Sequence, residues 1–389
     1  MSRWRTVIMS IGLEEMLHLA LVSNLLTALG AAPHLRRPPF PQESRYYPAG
    51  ITIELQRFSD ATLTRFIHLE RPEGATVEDV VHADPAVDLE AGVPSAAPGA
   101  LRAPEDEVEE VPAEAYATVG HLYEAIGEGF RHLVDHRGEA DIFLGPPESQ
   151  ARPEHFRFPG LVPVTDLASA QRALAVLVEQ GEGVRGDWSE AHYGKFLEVR
   201  KELRALVAEQ PAFDAARPVL ANPLAREPAG GAPGRLVEDS STAAVMELFD
   251  NCYELMTEML LRFFSHTDES EEALTALARG AITLMAVAVA PLGGLLTRLP
   301  AGAPHGDATA GPGFHLHRSV NLIPHRRAAW VIFHERLGEL AAFAARLAED
   351  VAQPLLVEVG AALADVARAL EPHLDREPAL ATPPIRSER

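Results

Sequence analysis

Residues 14–30 read EEMLHLALVSNLLTALG. They belong to a segment, 4–29, in which the positions that step by three and four share one helix face: Ile8, Ile11, Glu15, His18, Val22, Leu25 and Leu29. Five of the seven are hydrophobic, so the pattern predicts a helix that packs on a core and ends at Gly30 and Pro33. Glu15 and His18 interrupt that stripe one turn apart.

The pair of Glu15 and His18 is the first indication of a functional site. A carboxylate that faces a core is costly unless it is paired or coordinated. Glu and His at i and i+3 are also the spacing with which carboxylate metal proteins of the helix-bundle type project two ligands inward. Two interpretations therefore stand: a structural one, either a buried Glu–His hydrogen bond or a salt bridge to an arginine on a neighbouring helix, and a metal site. Glu14 lies off the stripe and is interpreted as a flanking residue.

A metal site in a bundle needs ligands from other helices, and three further residues qualify. Glu124 lies near two glycines on its own helix face, Glu182 lies between two glycines, and His192 opens an apolar stripe. Their alternative interpretations are a close helix–helix contact, a helix-ending turn and a core histidine. The predicted metal ligands are thus Glu15, His18, Glu124, Glu182 and His192, with Glu198 as a weaker candidate; no catalytic residue is assigned.

The chemistry of these side chains limits the metal. Carboxylate oxygens and imidazole nitrogens without a thiolate suit iron, as a single ion or a di-iron pair, or manganese, with zinc as an alternative. A further group, His305, His315, His317 and His325, clusters in one loop and could bind metal, line a pocket or be solvated.

Composition narrows the function classes. The 389 residues are 47% hydrophobic and carry a net charge of −22, which argues against nucleic acid and anionic membrane surfaces as partners. The single cysteine, Cys252, excludes an internal disulfide and lies in an apolar helical pattern, as a core residue would. No signal peptide or convincing membrane span is recognised, so we expect a cytoplasmic protein.

Apolar periodicity predicts helices along the whole chain, and hence an all-α fold: 4–29, 60–69, 116–134, 166–180, 188–208, 242–265, 270–299, 326–349 and 353–371. We expect a ferritin-like bundle over 1–210, a linker over 211–240, a C-terminal helical domain over 241–372 and a disordered tail over 373–389. Residues 70–114 hold 13 acidic residues against Arg71 and Arg102, which predicts a flexible acidic insertion in the bundle.

Several motifs resemble one known family. They are the quoted 14–30 segment, Arg-Phe-Ser at 57–59, Thr-Val-Gly-His-Leu-Tyr-Glu-Ala-Ile at 118–126, Glu-Gln-Gly-Glu-Gly at 179–183 and His-Tyr-Gly-Lys-Phe-Leu-Glu-Val at 192–199, followed by 309–314 and 324–330. Together they are similar to the ferritin-like domain of iminophenylpyruvate dimer synthases and chromopyrrolate-type synthases, which act in violacein, rebeccamycin and staurosporine biosynthesis.

The resemblance implies a ferritin-like bundle with a metal site at the five residues named above, and oxidative coupling of two imines derived from aromatic amino acids. This sequence also departs from the family pattern at two points. Relatives carry an earlier helix that supplies a carboxylate, which is missing before the first helix here, and His315 stands where an acidic residue is expected.

Three functions follow as hypotheses. The first is an iron-dependent oxidase or imine-coupling enzyme of specialised metabolism with a small aromatic substrate. The second is a non-catalytic ferritin-like protein with a degenerate metal site, bound to a partner enzyme. The third is metal storage, which requires a cage-forming homo-oligomer.

Overall fold

The computed structural model describes residues 2–35, 37–42, 52–72, 75, 118–181, 187–227, 234–265, 269–317 and 321–374. Its helices are α1 (Ser2–Ala28), α2 (Asp60–Leu69), α3 (Val119–Arg137), α4 (Pro153–Phe156), α5 (Leu167–Gly181), α6 (His192–Glu209), α7 (Ser240–Phe264), α8 (Glu271–Leu284), α9 (Ala290–Leu296), α10 (Arg326–Val351) and α11 (Pro354–Leu370). Two-residue strands, β1 (Pro223–Leu224) and β2 (Arg235–Leu236), pair in parallel. The all-α prediction is confirmed.

Local chemistry explains where the helices near the site begin. The Thr118 hydroxyl accepts from the backbone N–H of His121 and caps α3, and the Asp166 carboxylate accepts from the Ser169 N–H before α5. Helix α6 begins at His192, four residues later than predicted, because the Asp187 carboxylate accepts from Ser189 and holds the preceding chain in a turn.

The long apolar segment 271–296 is not one regular α-helix. A π-turn over Met285–Val289 joins α8 to α9 just before Pro291. Proline has no N–H to give to the preceding turn, and a π-turn is one of the ways in which a helix absorbs that loss. The predicted single helix over 270–299 is therefore divided at this position.

Two hydrophobic clusters fill the described part of the fold. The larger one joins α1, α3 and α5 to α7–α11, and in it Leu21, Phe249 and Trp330 are completely or almost completely buried. The smaller one packs α1 and α2 against α6, through Trp4, Leu63 and Phe196 among others. Cys252 lies in the larger cluster, where burial raises the pKa of its thiol to about 12, which agrees with its interpretation as a core residue.

The buried face of α1 differs from the predicted stripe. It centres on Leu17, Leu21 and Ala28, whereas the Glu15 side chain is 50% exposed and that of His18 is 12% exposed. The prediction that Glu15 is buried in the apolar stripe is therefore wrong. The helix packs on α5 and α6 along one side, so a residue at the edge of that side keeps part of its contact with water.

The remaining predicted boundaries are described only in part. Within the predicted linker, 211–240, Leu220 and Val237 are buried in the larger cluster and Leu224 is also buried, and 228–233 lie outside the described residues. The acidic insertion lies outside them too, apart from residues 70–72 and 75, as does the predicted tail after residue 374. The division into domains stays a prediction.

Two helical segments, Arg3–Ala28 and Glu271–Leu296, are long and apolar enough to cross a membrane by length and composition alone. Core helices of water-soluble proteins meet the same criterion, and half of the apolar window of the second segment is buried in the fold. On α1 the apolarity comes partly from a face turned away from the bundle, with Met9, Leu13 and Leu19 exposed.

Candidate metal centre

Two helices bring an acid and two imidazoles together. Glu15 and His18 lie on α1, and His192 is the first residue of α6; one ligand atom from each lies within 4.8 Å of the others. Glu15 Oε1 is 3.3 Å from His18 Nδ1 and 3.0 Å from His192 Nδ1. Three of the five residues predicted from the sequence therefore share one site.

A second carboxylate enters from α2. Glu70 follows the last residue of that helix, and its Oε2 lies 3.7 Å from His192 Nδ1. Glu70 is not among the ligands predicted from the sequence, because it was counted with the acidic insertion. The signal was nevertheless present, since Leu63, Ile67 and Glu70 step by four and three, which is the rule that singled out Glu15.

The outer nitrogens of both imidazoles are held by neighbouring acceptors. His192 Nε2 donates to Glu14 Oε2 at 2.8 Å, and Lys195 Nζ donates to the same oxygen at 3.0 Å. His18 Nε2 donates to Gln180 Oε1 at 2.9 Å. Because each Nε2 is used as a donor, each Nδ1 is presented to Glu15, as in metal sites where an acceptor outside the site orients a histidine ligand.

Glu14 therefore does more than flank the stripe, the position predicted for it. Interpreted as flanking because it lies off the stripe, it supports His192 from outside the cluster. A residue that orients a ligand lies beside the ligand face of the helix rather than on it, so the stripe rule cannot detect it.

Burial and charge act strongly on the central pair. Desolvation raises the pKa of Glu15, but His18 and His192 outweigh it and lower that pKa to about 2. Desolvation lowers the pKa of His192, but Glu15 and Glu70 outweigh it and raise that pKa to about 9. Burial, with the charges of Glu15 and Glu70, also raises the pKa of the nearby Tyr123 phenol.

His192 provides the test of whether these residues fit a metal ion. The side chain is completely buried, and its Nδ1 has no hydrogen bond of acceptable geometry to any described residue, although Glu15 Oε1 is only 3.0 Å away. A buried nitrogen aimed at two carboxylates needs either a proton or a cation between them. The donor set of carboxylates and imidazoles therefore fits a divalent metal ion.

The other predicted ligands lie either outside this cluster or outside the described residues. Glu124 is exposed on α3 and is not part of the Glu15–His18–His192 cluster. Glu182 lies outside the described residues. Glu198, the weaker candidate, pairs with Arg3 at 2.8 Å on the surface of α6.

An open groove of about 560 Å³ runs between α3 and α5, beside the cluster. Its lining residues are Tyr123, Glu124, Gly127, Glu128, Arg131, Gln171, Leu174, Ala175 and Val178. Tyr123 links the groove to the carboxylates, because the charges of Glu15 and Glu70 act on its hydroxyl. A larger cleft, of about 740 Å³, lies between α8 and α11 and shares no lining residue with the metal centre.

The fold and the ligand pair define the class of protein. Residues 1–201 match the Ferritin-like family model, which is more than half of the chain, so the chain belongs to the Ferritin-like family. The expected family is thereby confirmed.

Two curated relatives make the similarity more specific. The chain is 29% identical over 337 residues to a dichlorochromopyrrolate synthase of Lentzea aerocolonigenes, covering 82% of this chain and 30% of that protein. It is 29% identical over 319 residues to a 2-imino-3-(indol-3-yl)propanoate dimerase of Chromobacterium violaceum, covering 79% and 27%. The chain thus spans less than a third of the length of these relatives. No solved structure matches it.

Proposed function

We propose that this chain is a metal-dependent biosynthetic enzyme of specialised metabolism that acts in the cytoplasm on an imine derived from an aromatic amino acid. The observation that carries the proposal is the convergence of Glu15, His18 and His192 within 4.8 Å in a ferritin-like bundle. The similarity to a synthase and an imine dimerase supports the reaction class.

The proposed ligands are Glu15, His18 and His192, with Glu70 as a fourth. Glu124 and Glu182 remain in the proposed set as ligands of a second ion. Gly181, which precedes Glu182 in the sequence, lies beside the site, since an added Cβ there would be 3.3 Å from Glu70 Oε2. Glu124 is adjacent in sequence to Tyr123. Iron or manganese is the proposed metal because the donors are hard oxygens and imidazole nitrogens.

Residues of the chain itself prepare the site. Glu14, to which Lys195 donates, accepts from His192, and Gln180 accepts from His18, so both Nδ1 atoms are oriented before a metal ion binds. Tyr123 lines the groove, and burial with the charges of Glu15 and Glu70 raises the pKa of its phenol, so the protonated hydroxyl can donate a hydrogen bond to a substrate. When bound, the metal would supply redox chemistry.

The groove between α3 and α5 is the proposed substrate site. Leu174, Ala175 and Val178 offer apolar contacts to an aromatic ring, and Arg131 on the opposite helix offers a cation to the carboxylate of an amino-acid-derived imine. Coupling two such imines through a new carbon–carbon bond removes two protons and two electrons. An oxidant of the dioxygen or peroxide class would have to accept those electrons.

Metal content tests the proposal directly. Protein loaded with Fe²⁺ or Mn²⁺ and then desalted is expected to retain metal by elemental analysis, and Glu15→Gln is expected to lose it, because the neutral amide is a poor ligand. Glu198→Gln makes the same chemical change at a surface ion pair and is expected to keep the wild-type content. An unchanged metal content in a folded Glu15→Gln protein would overturn the proposed centre.

A further inference from the structure

A second group of ligand-type side chains lies outside the ferritin-like region, where the loop 309–317 crosses α7. Asp250 on α7 is completely buried. Its Oδ1 accepts from the backbone N–H of His315 at 3.0 Å. Its Oδ2 is buried and has no hydrogen-bond partner among the described residues.

The loop presents two imidazoles to that carboxylate. The rings of His315 and His317, two residues apart, have centroids 4.9 Å apart and planes inclined at 61°. His317 Nε2 is 3.6 Å from Asp250 Oδ2, and this nitrogen is also buried without a hydrogen bond to any described residue. Two polar atoms without partners therefore face each other across a gap that is too long for a hydrogen bond.

The surrounding structure holds the loop in place. A Cβ at Gly313 would lie 3.2 Å from both oxygens of Asp250, so the glycine lets the backbone approach the carboxylate. Phe314 has a φ of +52°, a conformation that costs free energy, and packs edge-on against Phe249 and Tyr253. Such strain persists where the surroundings fix the backbone, and it is common at binding sites.

Arg37, whose charge acts on Asp250, makes its contacts outside the gap. Arg37 donates to the backbone carbonyls of Pro38 and Phe314, and its guanidinium stacks on Phe40 at 4.4 Å. It anchors the loop from outside and leaves Asp250 Oδ2 unpaired.

The gap has the dimensions of a coordination site. Bonds of about 2.0–2.2 Å from a zinc-type ion to a carboxylate oxygen and an imidazole nitrogen would span 3.6 Å at an angle of about 120°, close to that of a tetrahedral centre. A cation there would pair the buried carboxylate, which otherwise carries the cost of an incompletely satisfied charge.

We propose that Asp250, His317 and His315 form a second metal site, for a divalent transition-metal ion of the zinc type. Asp250 Oδ2 and His317 Nε2 already face the ion's position, and His315 becomes the third ligand by rotation of its ring. Two histidines and one carboxylate leave a coordination position for water or a ligand. A small pocket bordered by Phe40, Asn222 and His315 adjoins the loop.

The site shares no residue with the Glu15 centre, and its three residues lie beyond the range 1–201 matched by the Ferritin-like family model. The test uses the full chain, stripped with a chelator, titrated with Zn²⁺ by calorimetry and then analysed for bound metal after desalting. Asp250→Asn keeps the shape of the side chain and an oxygen that can accept the hydrogen bond from the backbone N–H of His315. His317→Gln removes an imidazole that lies in the loop, away from the helix core. His325→Gln is the matched control, since His325 is an exposed histidine of the same loop region.

Asp250→Asn and His317→Gln are each expected to bind one Zn²⁺ fewer per chain than the wild type, and His325→Gln is expected to bind as many. Co²⁺ should give the intense visible absorption of a tetrahedral site in the wild type and lose it in both site variants. Glu15→Gln should keep that band, which separates this site from the proposed iron or manganese centre. Unchanged Zn²⁺ stoichiometry in folded His317→Gln protein would overturn the proposal, whether or not Asp250→Asn folds.

Discussion

Among single residues, Glu14 illustrates how a side chain that is not a ligand can set the properties of one that is. Its carboxylate accepts from His192 Nε2 and is itself held by Lys195. The negative charge makes the imidazole more basic and fixes its ring, while Nδ1 stays turned toward Glu15 and Glu70. The orientation of His192 therefore depends on a residue outside the cluster.

Replacing Glu14 by Gln should weaken metal binding without removing a ligand. The amide can still accept a hydrogen bond, but it no longer increases the basicity of His192, so we expect an affinity for Fe²⁺ or Mn²⁺ about 10–100-fold lower. Competition with a chelating dye measures the change. Glu128→Gln, at an exposed position of α3, is the control, and equal affinities for the two variants would contradict the role given to Glu14.

Among the helices, the start of α6 depends on a glycine, Gly194. His192 lies at the first position of α6 because the preceding turn packs closely against the helix at Gly194. A Cβ at Gly194 would overlap the carbonyl oxygen of Trp188. The glycine therefore determines how the 187–191 turn meets α6, and with it where His192 enters the metal centre.

Gly194→Ala is expected to push this turn away from α6, to lower the free energy of unfolding by about 3 kcal/mol and to weaken metal binding at the same time. Gly129→Ala, in a part of α3 where no atom lies within 4 Å of the added Cβ, should instead raise the free energy of unfolding by about 1 kcal/mol. Urea unfolding of the metal-free proteins measures both. Equal stabilities for the two variants would show that the contact with Trp188 does not matter.

In the molecule as a whole, the larger hydrophobic cluster crosses the predicted domain boundary. Helix α4 lies against α8, and Phe156 of α4 packs on Phe263 and Phe264 of α7 at ring distances of 5.0 and 6.2 Å. His155, on the same short helix, is 2.9 Å from Glu271 at the start of α8. Apolar contacts therefore couple the N-terminal helices to the C-terminal ones.

This coupling predicts a single cooperative thermal transition by scanning calorimetry, with equal calorimetric and van't Hoff enthalpies. Phe156→Ala, which removes half-buried ring contacts between the two regions, should lower the midpoint by an amount that corresponds to about 2 kcal/mol. Leu144→Ala, at a side chain that is 68% exposed, should leave the midpoint temperature of unfolding unchanged. Two resolved transitions in the wild type would show that the regions unfold independently.

The sequence by itself determined most of the helices and three of the four residues of the proposed metal centre. Periodicity located α1, α2 and α7 to within a few residues, because an apolar stripe marks the face of a helix that is buried in the core. The same rule singled out Glu15 and His18, which are neighbours on one helix, and it selected His192 as a third candidate. It would also have found Glu70, had that residue been assigned to α2 rather than to the acidic segment.

Only the tertiary structure decided which of the candidates meet and what holds them. That Glu15 is half exposed, that Glu14 supports His192 and that Gln180 supports His18 depend on how α1, α5 and α6 pack. Asp250 and His317 are 67 residues apart in the sequence, and a loop closing on α7 brings them together. Periodicity describes one helix at a time, whereas a site made by several helices is fixed by crossing angles and loop closures that no local pattern encodes.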